Sequence, residues 1–177
     1  MTTNTPTEFS DRLRYEPARA GHAADLAEAM VDGRVYEHIP GQHPENVDDL
    51  AQAESGPPPH REGETWWTFA VFEKDTGRGV GQVEASILGD RAEVAYLFGV
   101  AHWDQGYGTE ALGWLHTRLK QQHPEVRTLW ACITPPNDRS RRVAEKLGYQ
   151  LWDGEYPELW HYDPGDWVYR HDLEPAE

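Results

Sequence analysis

RAEVAYLFGVAHWDQGYGTEALGWLHTRLKQQ, residues 91–122, joins two kinds of hydrophobic pattern through a pair of glycines. Residues 92–100 are apolar and rich in β-branched and aromatic side chains, as a buried strand requires. Gly106-Tyr107-Gly108 follows, and from Thr109 onward the spacing turns helical, with Ala111, Leu112, Leu115 and Leu119 on one stripe. His123-Pro124 closes that helix, because a proline disfavours helix in the residue before it. A strand that passes through a glycine turn into a helix leaves backbone N–H groups free at the helix start. Those groups and the helix dipole favour an anion, most often a phosphate. Glycine lets such a ligand approach the backbone closely.

A chain of 177 residues suffices for one domain with its own core. The pattern predicts a flexible tail over residues 1–10, a single domain over 11–173 and a short tail over 174–177. Cys132 is the one cysteine, so no disulfide framework is available. With no apolar leader in the first ten residues, a cytoplasmic setting is expected. No run of 18 apolar residues suggests a membrane span. The formal charge of −15 argues against binding to nucleic acid or anionic lipid and favours cationic partners. Eight tryptophans and eight tyrosines offer large contact area for a core or a pocket.

Around the opening stretch, residues 12–17 read as a first strand and 21–30 as a helix ended by Asp32-Gly33. Residues 35–64, with a short possible helix at 45–53 and Gly56-Pro57-Pro58-Pro59, read as a connector or a binding loop. Residues 65–73 suit a central strand, and 80–88 alternate as a half-buried one, so with 92–100 they form an antiparallel meander. Residues 127–133 form a buried strand that lies parallel to its neighbour through a right-handed crossover. Asn137 caps a helix over 138–146 that ends at Gly148, and strands follow at 149–153 and 166–172. The expected class is α+β: a central twisted mixed sheet of about seven strands with flanking helices.

Two segments carry a family resemblance. The first runs from Ala92-Glu93-Val94-Ala95-Tyr96 to Trp103-Asp104-Gln105-Gly106-Tyr107-Gly108-Thr109-Glu110-Ala111. The second is Asn137-Asp138-Arg139-Ser140-Arg141-Arg142-Val143-Ala144-Glu145-Lys146-Leu147-Gly148-Tyr149. Together they resemble the GCN5-related N-acetyltransferases (GNAT), and more closely the RimJ/RimL-like branch that modifies ribosomal-protein N-termini. The element order agrees over residues 12–172. Three positions depart from the wider pattern. Trp103 stands where Arg or Gln is frequent, although the RimJ/RimL-like branch tolerates an aromatic there. Asp104 brings a carboxylate to a turn meant for a diphosphate, and Ala144 stands where many members carry a tyrosine acid.

The resemblance implies transfer of an acetyl group from acetyl-CoA to an amine, either a protein N-terminus or a small cationic amine. No metal is implied, and the nine histidines lack H-x-x-x-H spacing. It implies that Trp103, Gln105, Gly106, Tyr107, Gly108 and Thr109 surround the diphosphate, with Asn137, Arg139 and Arg142 near a CoA phosphate. The pantetheine arm would pair with the strand from Tyr96 through Leu97, Phe98 and Gly99 to Val100, as an added strand does. An N–H near Phe98 or Gly99 would meet the oxyanion. The amine must lose a proton before it attacks, and Glu93 is the first candidate base, with Glu84 second. Ser140 is the candidate donor to the leaving thiolate, with Tyr96 next. Acidic residues Asp153, Glu155, Glu158, Asp163 and Asp166 cluster at the last connection and suit a cationic acceptor. An inactive GNAT fold that binds CoA or another ligand as a sensor or partner module is the alternative. A monomer or a homodimer fits either.

Overall fold

The computed structural model describes residues 7–55 and 61–174. The expected tail over residues 1–6, the Gly56–Pro59 run and residues 175–177 lie outside the described part. Eight strands form one sheet: β1 (Glu8–Phe9), β2 (Leu13–Pro17), β3 (Thr65–Glu73), β4 (Gly79–Leu88), β5 (Arg91–Phe98), β6 (Thr128–Ile133), β7 (Gln150–Leu151) and β8 (Trp167–Asp172). Their order is β1-β2-β3-β4-β5-β6-β8-β7. The strand beyond the expected seven is β1, which pairs Glu8 with Tyr15 and Phe9 with Arg14.

Alternation sorts the meander onto two faces. On one face Val83, Ala85, Ile87, Val94 and Phe98 pack under α3 (Tyr107–Gln122), whose Ala111, Leu112, Leu115 and Leu119 are buried. Trp114 of the same helix stacks on Tyr15 at 3.7 Å between ring centroids. On the opposite face Ala70 and Phe72 meet α1 (Ala23–Met30) and α2 (Val47–Ser55) through Leu26, Met30 and Leu50. α4 (Asp138–Lys146) starts as its sequence dictates: Asn137 Oδ1 accepts the Ser140 N–H at 3.2 Å.

β5 and β6 form the parallel pair, and they stay together for three residues only: Arg91 with Thr128, Ala92 with Leu129 and Glu93 with Trp130. Beyond Glu93 the strands part, which opens a wedge in the sheet. β6 then pairs along its other edge with β8 over all six of its residues. The strand of the opening stretch ends at Phe98, a short 3₁₀ turn spans Val100–His102, and α3 begins at Tyr107, two residues before the expected Thr109.

Leu112 has no exposed surface. Leu112→Ala should therefore cost about 2–5 kcal/mol in chemical denaturation, the range for a leucine cavity in a core. A loss below about 1 kcal/mol would place α3 outside the core.

Candidate active site

The wedge between β5 and β6 holds two adjoining cavities of about 330 and 260 Å³. The larger follows β5 from Tyr96 to Phe98 and continues over the glycine turn to α4. The smaller enters between Val94–Tyr96 and Ala131–Thr134 and reaches Trp160, His161 and Asp163. Both are walled by His38, Ile39, Tyr96, Asn137 and Ser140, so these five residues stand at the junction.

The larger cavity suits a phosphorylated ligand. Gly106 caps α3 at φ 81°, a left-handed geometry that glycine adopts without a steric penalty. Glu110 N–H is bonded back to Gly106 O at 3.0 Å, which leaves the N–H groups of Tyr107, Gly108 and Thr109 without intrahelical acceptors. A Cβ on Gly108 would lie 3.3 Å from Val143 Cγ2, so the close seat of α4 on α3 also depends on that glycine. Arg12 braces the turn from outside: it donates to Glu110 Oε2 at 2.8 Å and to Gln105 O at 2.9 Å, and lies over the Tyr107 ring. The wall of this cavity includes Arg34, Arg139, Arg142 and Lys146 and, among the described residues, one carboxylate, Asp104; Arg34 is also paired with Asp32 outside the cavity lining. A chain with a formal charge of −15 thus builds a basic wall here. Asp104 takes a left-handed φ of 57° and meets Arg142 Nη2 at 3.3 Å, which offsets its charge. Arg139 stacks over Trp103 at 3.6 Å, and Trp103 Nε1 donates to Phe98 O at 2.8 Å.

The backbone of β5 completes this side. Gly99 N–H is spent on Val80 O at 2.9 Å, so it faces β4. By strand alternation the Phe98 N–H faces away from β4, toward the wedge. Of the two expected oxyanion donors, Phe98 therefore keeps its N–H available and Gly99 does not. At the junction, Tyr96 Oη lies 2.9 Å from Ser140 Oγ and 2.9 Å from Ser140 O. Burial pushes the Tyr96 phenol well above its ordinary range, so it stays protonated and acts as a donor. With that proton on Ser140 O, the Ser140 hydroxyl can turn its own hydrogen toward the larger cavity.

Residues 12–150 match the acetyltransferase (GNAT) domain family. The chain belongs to that family. Solved structures show the same fold. An acetyltransferase from Salmonella typhimurium that modifies the N-terminal serine of ribosomal protein L7/L12 is 17% identical, with 93% of this chain and 97% of that one covered at a TM-score of 0.72. The RimL L7/L12 α-N-protein acetyltransferase in complex with coenzyme A is 16% identical, covering 95% and 98% at 0.72. The ribosomal-protein-S5-alanine acetyltransferase from Vibrio fischeri is 13% identical, covering 96% and 97% at 0.70. No curated protein matches the chain significantly.

This GNAT chain departs from the sequence reading at Glu93. Its carboxylate is 4% exposed, points to the face opposite Tyr96, and lines neither large cavity. Oε2 accepts Trp160 N–H at 2.6 Å; Oε1 accepts His161 N–H at 2.8 Å and meets His161 Nδ1 at 2.9 Å. With three hydrogen bonds to Trp160 and His161 and no place on either cavity wall, Glu93 clamps the 160–161 turn against the sheet, a structural duty rather than the expected proton acceptance. Glu64, buried beside it, holds the Trp160 indole N–H at 2.7 Å. Glu84, the second candidate, sits 3.7 Å from His161 Nε2, outside both cavities. Burial alone would lower the His161 pKa, but the hydrogen bonds and charges of Glu84 and Glu93 outweigh it and push the value up to about 10.

The larger cavity gathers Phe98, Trp103, Gly106, Tyr107, Gly108, Thr109, Asn137, Arg139 and Arg142 as the sequence suggested. It does not gather Gly99, Val100 or Gln105. Gly99 lies against Ala29, where a Cβ would come within 2.7 Å of the Ala29 Cα, and the Gln105 amide donates to Ala101 O at 2.6 Å. Of the acidic cluster, Asp163 alone reaches the smaller cavity, whereas Glu158 is drawn 3.6 Å from Arg61. Sequence reasoning missed Arg34, His38, Lys146, Trp160 and His161. Lys146 could have been found, since the 3.6-residue period puts it on the helix face of Arg139 and Arg142. The other four come from segments with no local motif.

Gly108→Glu should abolish CoA binding in calorimetry while circular dichroism shows the secondary structure retained, because its side chain would wedge against Val143 and Phe98 and push α4 off the turn. Unchanged affinity would remove the turn from the site. The raised His161 pKa also fixes a sign: its stabilisation is fully present below about 6.5, the ordinary histidine value, and fades as pH rises toward 10. The wild-type melting temperature should fall across that window more steeply than that of His161→Gln. Parallel curves would contradict a charged His161.

Proposed function

We propose that this protein is an acetyl-CoA-dependent N-acetyltransferase in which the amine attacks the thioester directly. The observation that carries the reading is the meeting of two cavities at Tyr96, Asn137 and Ser140, one basic and rich in free N–H groups, the other open to an acceptor. In this reading Tyr107, Gly108 and Thr109 donate N–H groups to the diphosphate, with Arg139, Arg142 and Lys146 alongside. The pantetheine arm pairs with the free edge of β5, and the Phe98 N–H stabilises the oxyanion. Ser140, backed by Tyr96, donates to the departing thiolate. Holding both reactants in one wedge supplies much of the rate, because effective molarities can reach about 10⁵ M.

The smaller cavity favours one acceptor class. Its walls include Val94, Ala95, Ala131, Ile133 and Trp160, with the His161 imidazole and, among the described residues, one carboxylate, Asp163. A polyamine or aminoglycoside calls for several carboxylates, whereas the terminal residue of a peptide calls for one anion near its ammonium and an apolar seat. We therefore read the acceptor as the α-amine of a protein or peptide. The RimJ/RimL-like relatives that modify N-terminal serine or alanine support this choice.

The test is release of CoA thiol with peptides bearing free N-terminal serine or alanine, run beside spermidine. Turnover with a peptide and at least tenfold lower kcat/KM with spermidine is the expected result. Preference for spermidine would overturn the acceptor class. Acetyl-CoA binding without turnover on any amine would leave a ligand-binding module.

A further inference from the structure

With Glu93 committed to the 160–161 turn, another group must receive the proton of the amine. We propose that His38 is that base, resting on the acetyltransferase reading above. His38 walls both cavities and is, among the described residues, the one imidazole at their junction. It makes no hydrogen bond or ion pair with any described residue, so both ring nitrogens are open to a ligand.

Its backbone is nonetheless fixed. A 3₁₀ turn over Gly33–Tyr36 leads into it, Ile39 N–H returns to Tyr36 O at 2.9 Å, and Tyr36 Oη donates to Met30 O at 2.9 Å. Tyr36 also stacks on His43, 5.0 Å between centroids. A base carried on a braced turn holds its position without being buried in the core.

The competing groups are each disqualified by their surroundings. Tyr96 is a buried phenol that holds its proton. His161 has Nδ1 on Glu93 and is kept cationic. Asp163 lines the smaller cavity only, where it can attract the entering ammonium, whereas His38 also walls the larger cavity that would hold the thioester.

The protons balance. The acceptor enters as an ammonium, and His38 takes one proton to leave a neutral amine. The nitrogen lone pair forms the N–C bond, and the C–S bond breaks. The second nitrogen proton is released as the thiolate sulfur is protonated through the Ser140 hydroxyl. His38 returns its proton to solvent, so the products are the amide, CoA thiol and one proton.

The experiment compares wild type, His38→Ala and His38→Gln with acetyl-CoA and an N-terminal seryl peptide across pH 5.5–9. Of the charged and titratable groups around the loop, Arg34, Tyr96 and Arg139 line the larger cavity, His161 and Asp163 line the smaller, and Glu54 of α2, pushed up to about 7 by burial and by Glu84, acts on Tyr36; all remain in both variants. Expected are a kcat reduced about 100-fold or more, an acetyl-CoA Kd within about twofold, and loss of the acidic limb of the kcat/KM profile. Added imidazole should restore part of the rate to His38→Ala, where space is vacated, and not to His38→Gln. Variants within threefold of an active wild type, or variants that lose acetyl-CoA affinity in step with kcat and keep the acidic limb, overturn the assignment alone. A wild type that binds acetyl-CoA and turns over no amine removes the reading beneath it as well.

Discussion

Everything at the centre of this molecule depends on a parallel pairing that stops early. β5 and β6 share three registered pairs and then separate, although both strands continue. A fully zipped sheet would spend the β5 edge on β6 and leave no room for a ligand. The separation frees that edge over Tyr96 and Phe98 and puts two helices, α3 and α4, on either side of the opening. Loss of ladder hydrogen bonds is tolerated because β6 is fully paired with β8 on its other edge. The glycine turn then needs only to deliver a helix start at the mouth of the wedge.

The second organising feature is electrostatic partition. Carboxylates outnumber cations across the chain, yet the wall of the larger cavity reverses the ratio. On the far face of β5 the opposite is done: Glu93 and Glu84 hold one histidine between them, and Glu93 turns two backbone N–H groups into anchors. A buried pair of this kind is costly to break and adds little net stability when intact. Its contribution here is shape, since it fixes the turn that closes the acceptor side.

The sheet order of the meander, the parallel crossover, α4 with its Asn137 cap and the anion-ready glycine turn were legible because each is encoded locally, by period or by a cap. The short β1 was not: two residues carry no period, and their pairing is set by the neighbour Leu13–Pro17. The role of Glu93 was misread for a related reason. Its position on the strand is evident, but its face and partners come from Trp160 and His161, 67 and 68 residues away. His38 and Arg34 reach the cavity from the connector before α2, and nothing in their neighbourhood marks them. Gly99 shows the limit of a backbone argument from sequence: whether its N–H is free depends on which edge of β5 it faces, and Val80 claims it.

The basic wall inside an acidic molecule has a kinetic consequence. Under the proposed function, an anionic nucleotide co-substrate would first meet the field of the whole chain, which repels it, and come under the cations of the cavity wall only within about one Debye length, roughly 8 Å at physiological salt. Ionic strength then acts on the two halves of the encounter in opposite senses. It quickens arrival by screening the outer repulsion, and it shortens residence by weakening the inner contacts. Affinity alone would hide both changes, because they cancel in part. Stopped-flow measurement of arrival and departure as salt is raised would separate them.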